Sequence, residues 1–396
     1  MRLPRPRGPI TAALFTRLSS PPPEPTPRPE AAPPPEAALP SEAALPPEAA
    51  PLPEPAPLHE TAPPPEAAQL PEAAPPPAVV SSGGRSGPPS ARSELADGDL
   101  QLALFACYEL HYQGFDDADD RWEWEPSLLA TRAALERRLE DALAALVPRP
   151  PAVPPAGVRA ALVELTADDG PSLSAYLRRE ADLGVFREFV VHRSIYHLKE
   201  ADPHTWAIPR LRGGPKAALV EIQADEYGGG RAERMHAELF AATMTGLGLD
   251  ASYGAYLDRV PGITLAVSNV MSLFGLHRRW RGALAGHLAA LEMTSSAPNR
   301  RYGDGLRRLG GDRVATRFYD EHVQADAVHE QVAAHDLCAG LAAQDPSLTG
   351  DILYGAACAL AVERLWAGHV LSRWRRGLSS LEQESGTRAS LAARSA

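Results

Sequence analysis

An all-α bundle is the fold class that this 396-residue sequence predicts. Three observations carry the prediction. Apolar residues recur at helical spacing from about residue 95 to 376, no hairpin dipeptide separates β-branched runs, and carboxylates and imidazoles gather on two of the expected helices. The architecture that fits is an orthogonal helical bundle over 95–376, with low-complexity tails over 1–94 and 377–396.

The N-terminal part is read from composition. More than half of the 41 prolines precede residue 95, in near-copies of one motif such as Pro33–Leu39 and Pro63–Leu70. Proline removes backbone donors, and alanine and glutamate offer little apolar area to offset ordering entropy. A disordered, polyproline-II-prone spacer is therefore expected over 1–94. Met1–Ser20 carries arginines and a short apolar patch, but Pro4, Pro6 and Pro9 interrupt it and no cleavage site follows, which makes it a poor signal peptide.

Helical structure is expected to begin near residue 95, with Leu100, Leu102, Leu104, Phe105 and Tyr108 forming a broad apolar face up to Gly114. After an acidic, aromatic loop, Ser127–Val147 reads as a long helix stopped by Pro148 and Pro150. Further helices are expected at Gly157–Ala167, Ser172–Leu183, Phe186–Glu200, Ala217–Leu247, Ser252–Leu257, Thr264–Phe274, Arg278–Ser295, Ala315–Leu341 and Asp345–Arg376. Trp122, Trp124 and Trp206 are expected to pack the bundle.

Charge and cysteine content narrow the function. A net charge of −11 argues against nucleic-acid binding, which gains affinity from basic patches. Charges and glycines recur too often for a membrane span. Cys107, Cys338 and Cys358 are odd in number and far apart in apolar helices, so buried thiols in a reducing cytoplasm are expected. Lysine occurs only as Lys199 and Lys216 against many arginines, a bias expected of a GC-rich bacterial genome.

Two segments carry the chemistry. On an uninterrupted helix Glu226, Glu233 and His236 would lie within about 80° of one another, and His322, Asp326 and His329 within about 60°. Mixed carboxylate and imidazole donors suit redox-active iron or manganese, whereas structural zinc more often recruits thiolates. Two helices presenting such sets across a bundle core build a dimetal carboxylate site. Any one of these residues taken alone is more often a solvated helix residue, and Glu233-x2-His236 by itself is a weak motif. Gly228, Gly229 and Gly230 cost an intervening helix about 2–3 kcal/mol. Either that helix gains its shape on metal binding, or it breaks and leaves His236 on a separate helix. Glu109 and His111 would point about 160° apart and are left out of the site.

The run Glu226-x6-Glu233-x2-His236, followed by His322-x3-Asp326-x2-His329, resembles the ligand pattern of haem-oxygenase-like diiron oxidases and oxygenases. Phe189–Glu200 and Glu221–Tyr227 resemble the bacterial iron-containing redox enzymes of that group, and the likeness spans about 98–375. The resemblance implies a further ligand at Glu200, some twenty-six residues before Glu226. The implied set is then Glu200, Glu226, Glu233, His236, His322, Asp326 and His329, with Glu233 as the bridging carboxylate. It also implies two ferrous ions, dioxygen as co-substrate, a small-molecule substrate, an electron donor and a homodimer. A seven-ligand set is similar to the N-oxygenating branch, while hydroxylation and oxidative cleavage stay open. His192 and His197 share the helix expected to carry Glu200, and either could support or replace a ligand.

Two other readings stand beside this one. A haem-handling protein of the same fold would use one axial histidine and leave the other clustered residues without a role. A non-catalytic helical protein could bind a partner through its proline-rich tail.

Overall fold

A computed structural model describes residues 1–23, 90–151, 153–167 and 172–383; the side chains of Asp326 and Ala327 lie outside that description. The expected spacer over 24–89 and the last residues of the expected C-terminal tail, 384–396, likewise fall outside it. Among the described residues the chain is helical throughout, without a strand. The fold is an all-α bundle, and no described helix is long and apolar enough to cross a membrane.

Two long helices, Arg281–Arg308 and Thr349–Arg375, form the backbone of the bundle. They cross closely because each places a glycine under the other's main chain. A Cβ on Gly286 would lie 1.8 Å from the Ile352 carbonyl oxygen, and one on Gly355 would lie 1.9 Å from that of Ala283. The two contacts run in opposite sequence order, so the helices are antiparallel there. The first of them turns back at Gly310 into the helix Arg313–Gln331, which continues as a π-helical segment, Val332–Ala339. The longer helix also runs through Pro298 and extends well beyond the expected end at Ser295.

Ser252–Leu257, expected to be helical, forms turns instead, since Gly254 adopts φ +79° with the Met1 side chain packed over it. Trp122 is buried as expected, whereas Trp124 is 59% exposed. The three cysteines are buried free thiols.

Residues 1–22 depart from the expected disordered tail. Pro9–Leu18 is a helix whose Leu14, Phe15 and Leu18 are buried in the main core. An isolated helix of this length is marginal in water, and the bundle supplies what is missing. Asp99 accepts hydrogen bonds from the Ile10 and Thr11 amides at 2.8 Å each, which caps the helix N-terminus from outside and places a negative charge there. At the other end of the chain, Ser380 and Leu381 are buried, so order also continues past 376.

The glycine crossing yields a test. Gly286→Ala and Gly355→Ala should each lower stability by about 3 kcal/mol, because the opposing group is backbone and must shift. Gly368→Ala, on the same helix with nothing within 4 Å of its Cβ, should stabilise by roughly 0.5–1 kcal/mol. Thermal or urea unfolding reads both, and equal effects at all three positions would contradict the close crossing.

Candidate metal centre

The helix Leu183–His197 is capped by Asp182, which accepts from the Val185 amide, and the chain leaves it in a turn that carries Lys199 and Glu200. Neighbours on that turn face opposite ways. Lys199 is buried against Glu109, with Nζ to Oε2 at 2.8 Å, inside the rings of Phe105, Tyr112 and Tyr253. Tyr253 donates a second hydrogen bond to the same carboxylate oxygen at 2.7 Å. This dry ion pair pins the turn and directs Glu200 to the other side.

The expected continuous helix over Ala217–Leu247 is broken. One helix ends at Glu226, short 3₁₀ turns follow, and a new helix begins at His236. Gly228, Gly229 and Gly230 all have positive φ, and a Cβ on Gly228 would lie 2.6 Å from the Met235 nitrogen. Only glycine lets the chain fold back so tightly. In a continuous helix Glu226 and His236 would be about 15 Å apart along the axis; here Glu226 Oε2 and His236 Nδ1 are 2.9 Å apart. The face arithmetic across the glycines therefore fails, and Glu233 sits exposed on a 3₁₀ turn outside the cluster. The assignment of Glu233 as bridge is corrected accordingly.

Glu200, Glu226, His236 and His322 present ligand atoms within 4.8 Å of one another, and so do Glu226, Glu292 and His329. Glu226 belongs to both groups, which gives it the shared position. Of the seven expected residues, the structure brings together Glu200, Glu226, His236, His322 and His329. Asp326 lies on the same helix as His322 and His329, and its side chain is outside the described residues. Glu292 was not foreseen. Its only sequence signal is a lone carboxylate in the apolar run His287–Met293 of the long helix.

Hydrogen bonds prepare several ligand atoms. His322 Nδ1 donates to the Phe318 carbonyl at 2.9 Å, which fixes the tautomer and turns Nε2 toward Glu200 Oε2, 3.6 Å away. His197 Nδ1 bonds Glu200 Oε1 at 2.7 Å, which sets His197 directly beside the cluster. His192 is elsewhere, held by Thr264 and Ser380 through both ring nitrogens at 2.8 and 2.9 Å. His111 and Glu109 are also outside the cluster, His111 beside Glu123 and Glu109 on Lys199.

Burial would raise the Glu200 carboxyl, but the His197 and His322 imidazoles hold it well below its ordinary range. Burial opposes charge on His236 as well, and the Glu226 carboxylate outweighs it and raises the imidazole. His329 is lifted to about 9: desolvation opposes the shift, while Glu292 and Asp225, the latter 3.0 Å from Nε2, drive it.

The residues fit a cation. Glu200 Oε2, Glu226 Oε2, His236 Nδ1 and His329 Nδ1 are all buried without a hydrogen-bond partner. They meet only as close charge contacts, Glu226 with His236 at 2.9 Å, His329 with Glu292 at 3.5 Å and Glu200 with His322 at 3.6 Å, and a bound cation would satisfy them together. The donors are carboxylate and imidazole, with no thiolate among them.

Comparison with known proteins agrees with this chemistry. Residues 187–364 match the family described as iron-containing redox enzymes, a span that contains every residue of both groups. That segment is similar to the iron-containing redox enzymes. A nitrosourea synthase from Streptomyces achromogenes subsp. streptozoticus is 26% identical over 136 residues, which cover 34% of this chain and 29% of that protein. The match agrees with the carboxylate and imidazole donors that the buried cluster presents.

Glu226→Ala should weaken divalent-metal binding at both groups, whereas Glu200→Ala should weaken chiefly the group containing His322; chelator competition reads the difference. A Glu226→Ala chain that holds as much iron as the parent would refute the shared position. The His329 shift gives a second test. Its folded value exceeds the ordinary 6.5, so the stabilisation is full below pH 6.5 and is lost as pH rises through about 9. The metal-free protein should lose a few degrees of melting temperature across that window relative to His329→Gln. A constant difference between the two would contradict it.

Proposed function

We propose that this protein is a non-haem diiron oxygenase that inserts oxygen into a small nitrogen-containing metabolite. The observation that supports it best is the pair of carboxylate and imidazole groups sharing Glu226 in the core, within the segment matched to iron-containing redox enzymes. Glu200, Glu226, His236 and His322 would hold one iron, and Glu226, Glu292 and His329 the other, with Asp326 within the same helical run. When bound, two ferrous ions supply two electrons to dioxygen.

The name of the nitrosourea synthase favours N-oxygenation over hydroxylation at carbon or oxidative cleavage, since a nitrosourea carries an oxidised nitrogen. The balance for an N–H substrate is one oxygen atom into N–OH and the other into water, with two electrons and two protons from a donor. An external reductant is thus part of this reading, as is a reducing compartment such as the cytoplasm, which suits three buried free thiols.

The chain's own residues shape the reaction space. A cavity beside the ligands is lined by Tyr196, His204, Gln223, Leu288, Leu291 and Ser295. Leu288 and Leu291 form the apolar part of its wall. Burial pushes the Tyr196 phenol well up, so it keeps its proton and can donate a hydrogen bond into the cavity. Burial pulls His204 down to about 4, and its Nε2 lies 3.3 Å from His287 Nδ1, so a neutral imidazole pair shares one proton at the cavity wall.

Anaerobic ferrous titration followed by rapid mixing with oxygen tests the proposal. About two irons per chain and a transient visible absorption band are expected. Absence of both would leave the diiron reading without support.

A further inference from the structure

His329 is a buried imidazole whose two nitrogens have different surroundings. Its Nδ1 has no hydrogen-bond partner and lies 3.5 Å from Glu292 Oε2, on the side where Glu226 and Glu292 present their oxygens. Its Nε2 meets Asp225 Oδ2 at 3.0 Å. The His329 side chain is 2% exposed and that of Asp225 is 64% exposed, so this one bond joins the buried cluster to the protein surface.

Asp225 stands where its own helix does not favour it. The final turn of Gly213–Glu226 holds two carboxylates, Asp225 and Glu226, and no basic residue. Negative charge at a helix C-terminus is unfavourable, and the ion-pair partner of Asp225 among the described residues is this imidazole. Glu226 reaches the cluster directly. Asp225, one residue earlier, reaches it through His329.

A neutral imidazole carries one N–H, and the acceptor it meets decides which nitrogen keeps the hydrogen. A carboxylate can only accept, so Asp225 holds the hydrogen on Nε2 and leaves the Nδ1 lone pair to face Glu226 and Glu292. His322 is arranged the opposite way, with Nδ1 committed to the Phe318 carbonyl and Nε2 turned to Glu200. Two histidines of one helix thus offer different ring nitrogens, each selected by an acceptor outside the metal groups.

We infer that Asp225 is a positioning residue that makes Nδ1 of His329 the metal-binding nitrogen. The inference rests on the reading of Glu226, Glu292 and His329 as a metal group, and it gives a surface carboxylate a part in choosing that group's donor atoms. A carboxylate behind a ligating imidazole fixes the ring and raises its basicity, so its loss weakens metal binding by about 10–100-fold.

The test uses the full chain with ¹⁵N-labelled histidine, loaded with ¹¹³Cd²⁺ as the probe, a diamagnetic divalent cation whose coupling to ¹⁵N identifies a bound ring nitrogen. The His329 resonances are assigned as those missing from His329→Gln. In the parent, coupling should appear at His329 Nδ1, with Nε2 still carrying its hydrogen. Asp225→Leu removes the acceptor, and Asp225→Asn restores one through its amide oxygen. Chelator competition should show the leucine variant about ten-fold weaker at the group containing His329, with its coupling no longer confined to Nδ1, and the asparagine variant within roughly three-fold of the parent. Cadmium binding by the group containing His322 should be the same in all three chains. Asp225 is exposed, so neither substitution opens a hole in the core, and a purely structural role would leave the coupled nitrogen unchanged.

Coupling at Nε2 in the parent would overturn the inference and leave the metal reading standing. So would a leucine variant that matches the parent in both affinity and coupled nitrogen. A parent in which no cadmium reaches His329 would overturn the inference and the two-metal reading together.

Discussion

Carboxylates and imidazoles packed into a dry helical core are the constraint around which this molecule is arranged. Glu200, Glu226, Glu292, His236, His322 and His329 are all buried, and several of their atoms lack any hydrogen-bond partner. Low dielectric magnifies both the repulsion among like charges and the penalty for leaving them unsolvated. Without metal, protons partly compensate: the His236 and His329 imidazoles are drawn toward their charged forms by neighbouring carboxylates. A divalent cation compensates better, because it meets several oxygen and nitrogen atoms at once. Metal binding and proton release are therefore linked in this core.

Holding such a cluster together requires a scaffold that does not relax around it. The Lys199–Glu109 ion pair is fully enclosed, and removing either partner would strand a charge, a loss of about 3–5 kcal/mol. That penalty fixes the turn from which Glu200 projects. Gly286 and Gly355 bring the two longest helices to near backbone contact, which sets the position of Glu292 on one of them. Gly228 does the same over a shorter range by folding the chain so that Glu226 meets His236. Each device works through sterics or buried charge rather than through the ligands, so the geometry exists before a metal arrives.

The all-α class was legible in the sequence because helical periodicity is a local property, and so was the helix carrying His322 and His329. The positions of Glu226 and His236 were legible as residues but not as geometry. Three consecutive glycines left two readings open, and the choice between them depended on a backbone contact between Gly228 and Met235 that no local rule supplies. Glu292 was hidden for a similar reason: a single carboxylate in an apolar run acquires meaning only when another helix brings His329 alongside it. The helix Pro9–Leu18 was hidden because its cap, Asp99, is distant in sequence. Composition described the proline repeats and said nothing about the short apolar patch before them.

The helix that gives Glu226 to the buried cluster also gives Gln223 to the adjoining cavity. Residues three apart on a helix are held by intervening backbone hydrogen bonds, so their separation does not depend on side-chain packing elsewhere. Gln223 is further locked by Ala201, which follows Glu200 directly in sequence. One amide thus braces the two segments that supply Glu200 and Glu226. A displacement of either carboxylate would strain this bond, so the two segments hold each other in register.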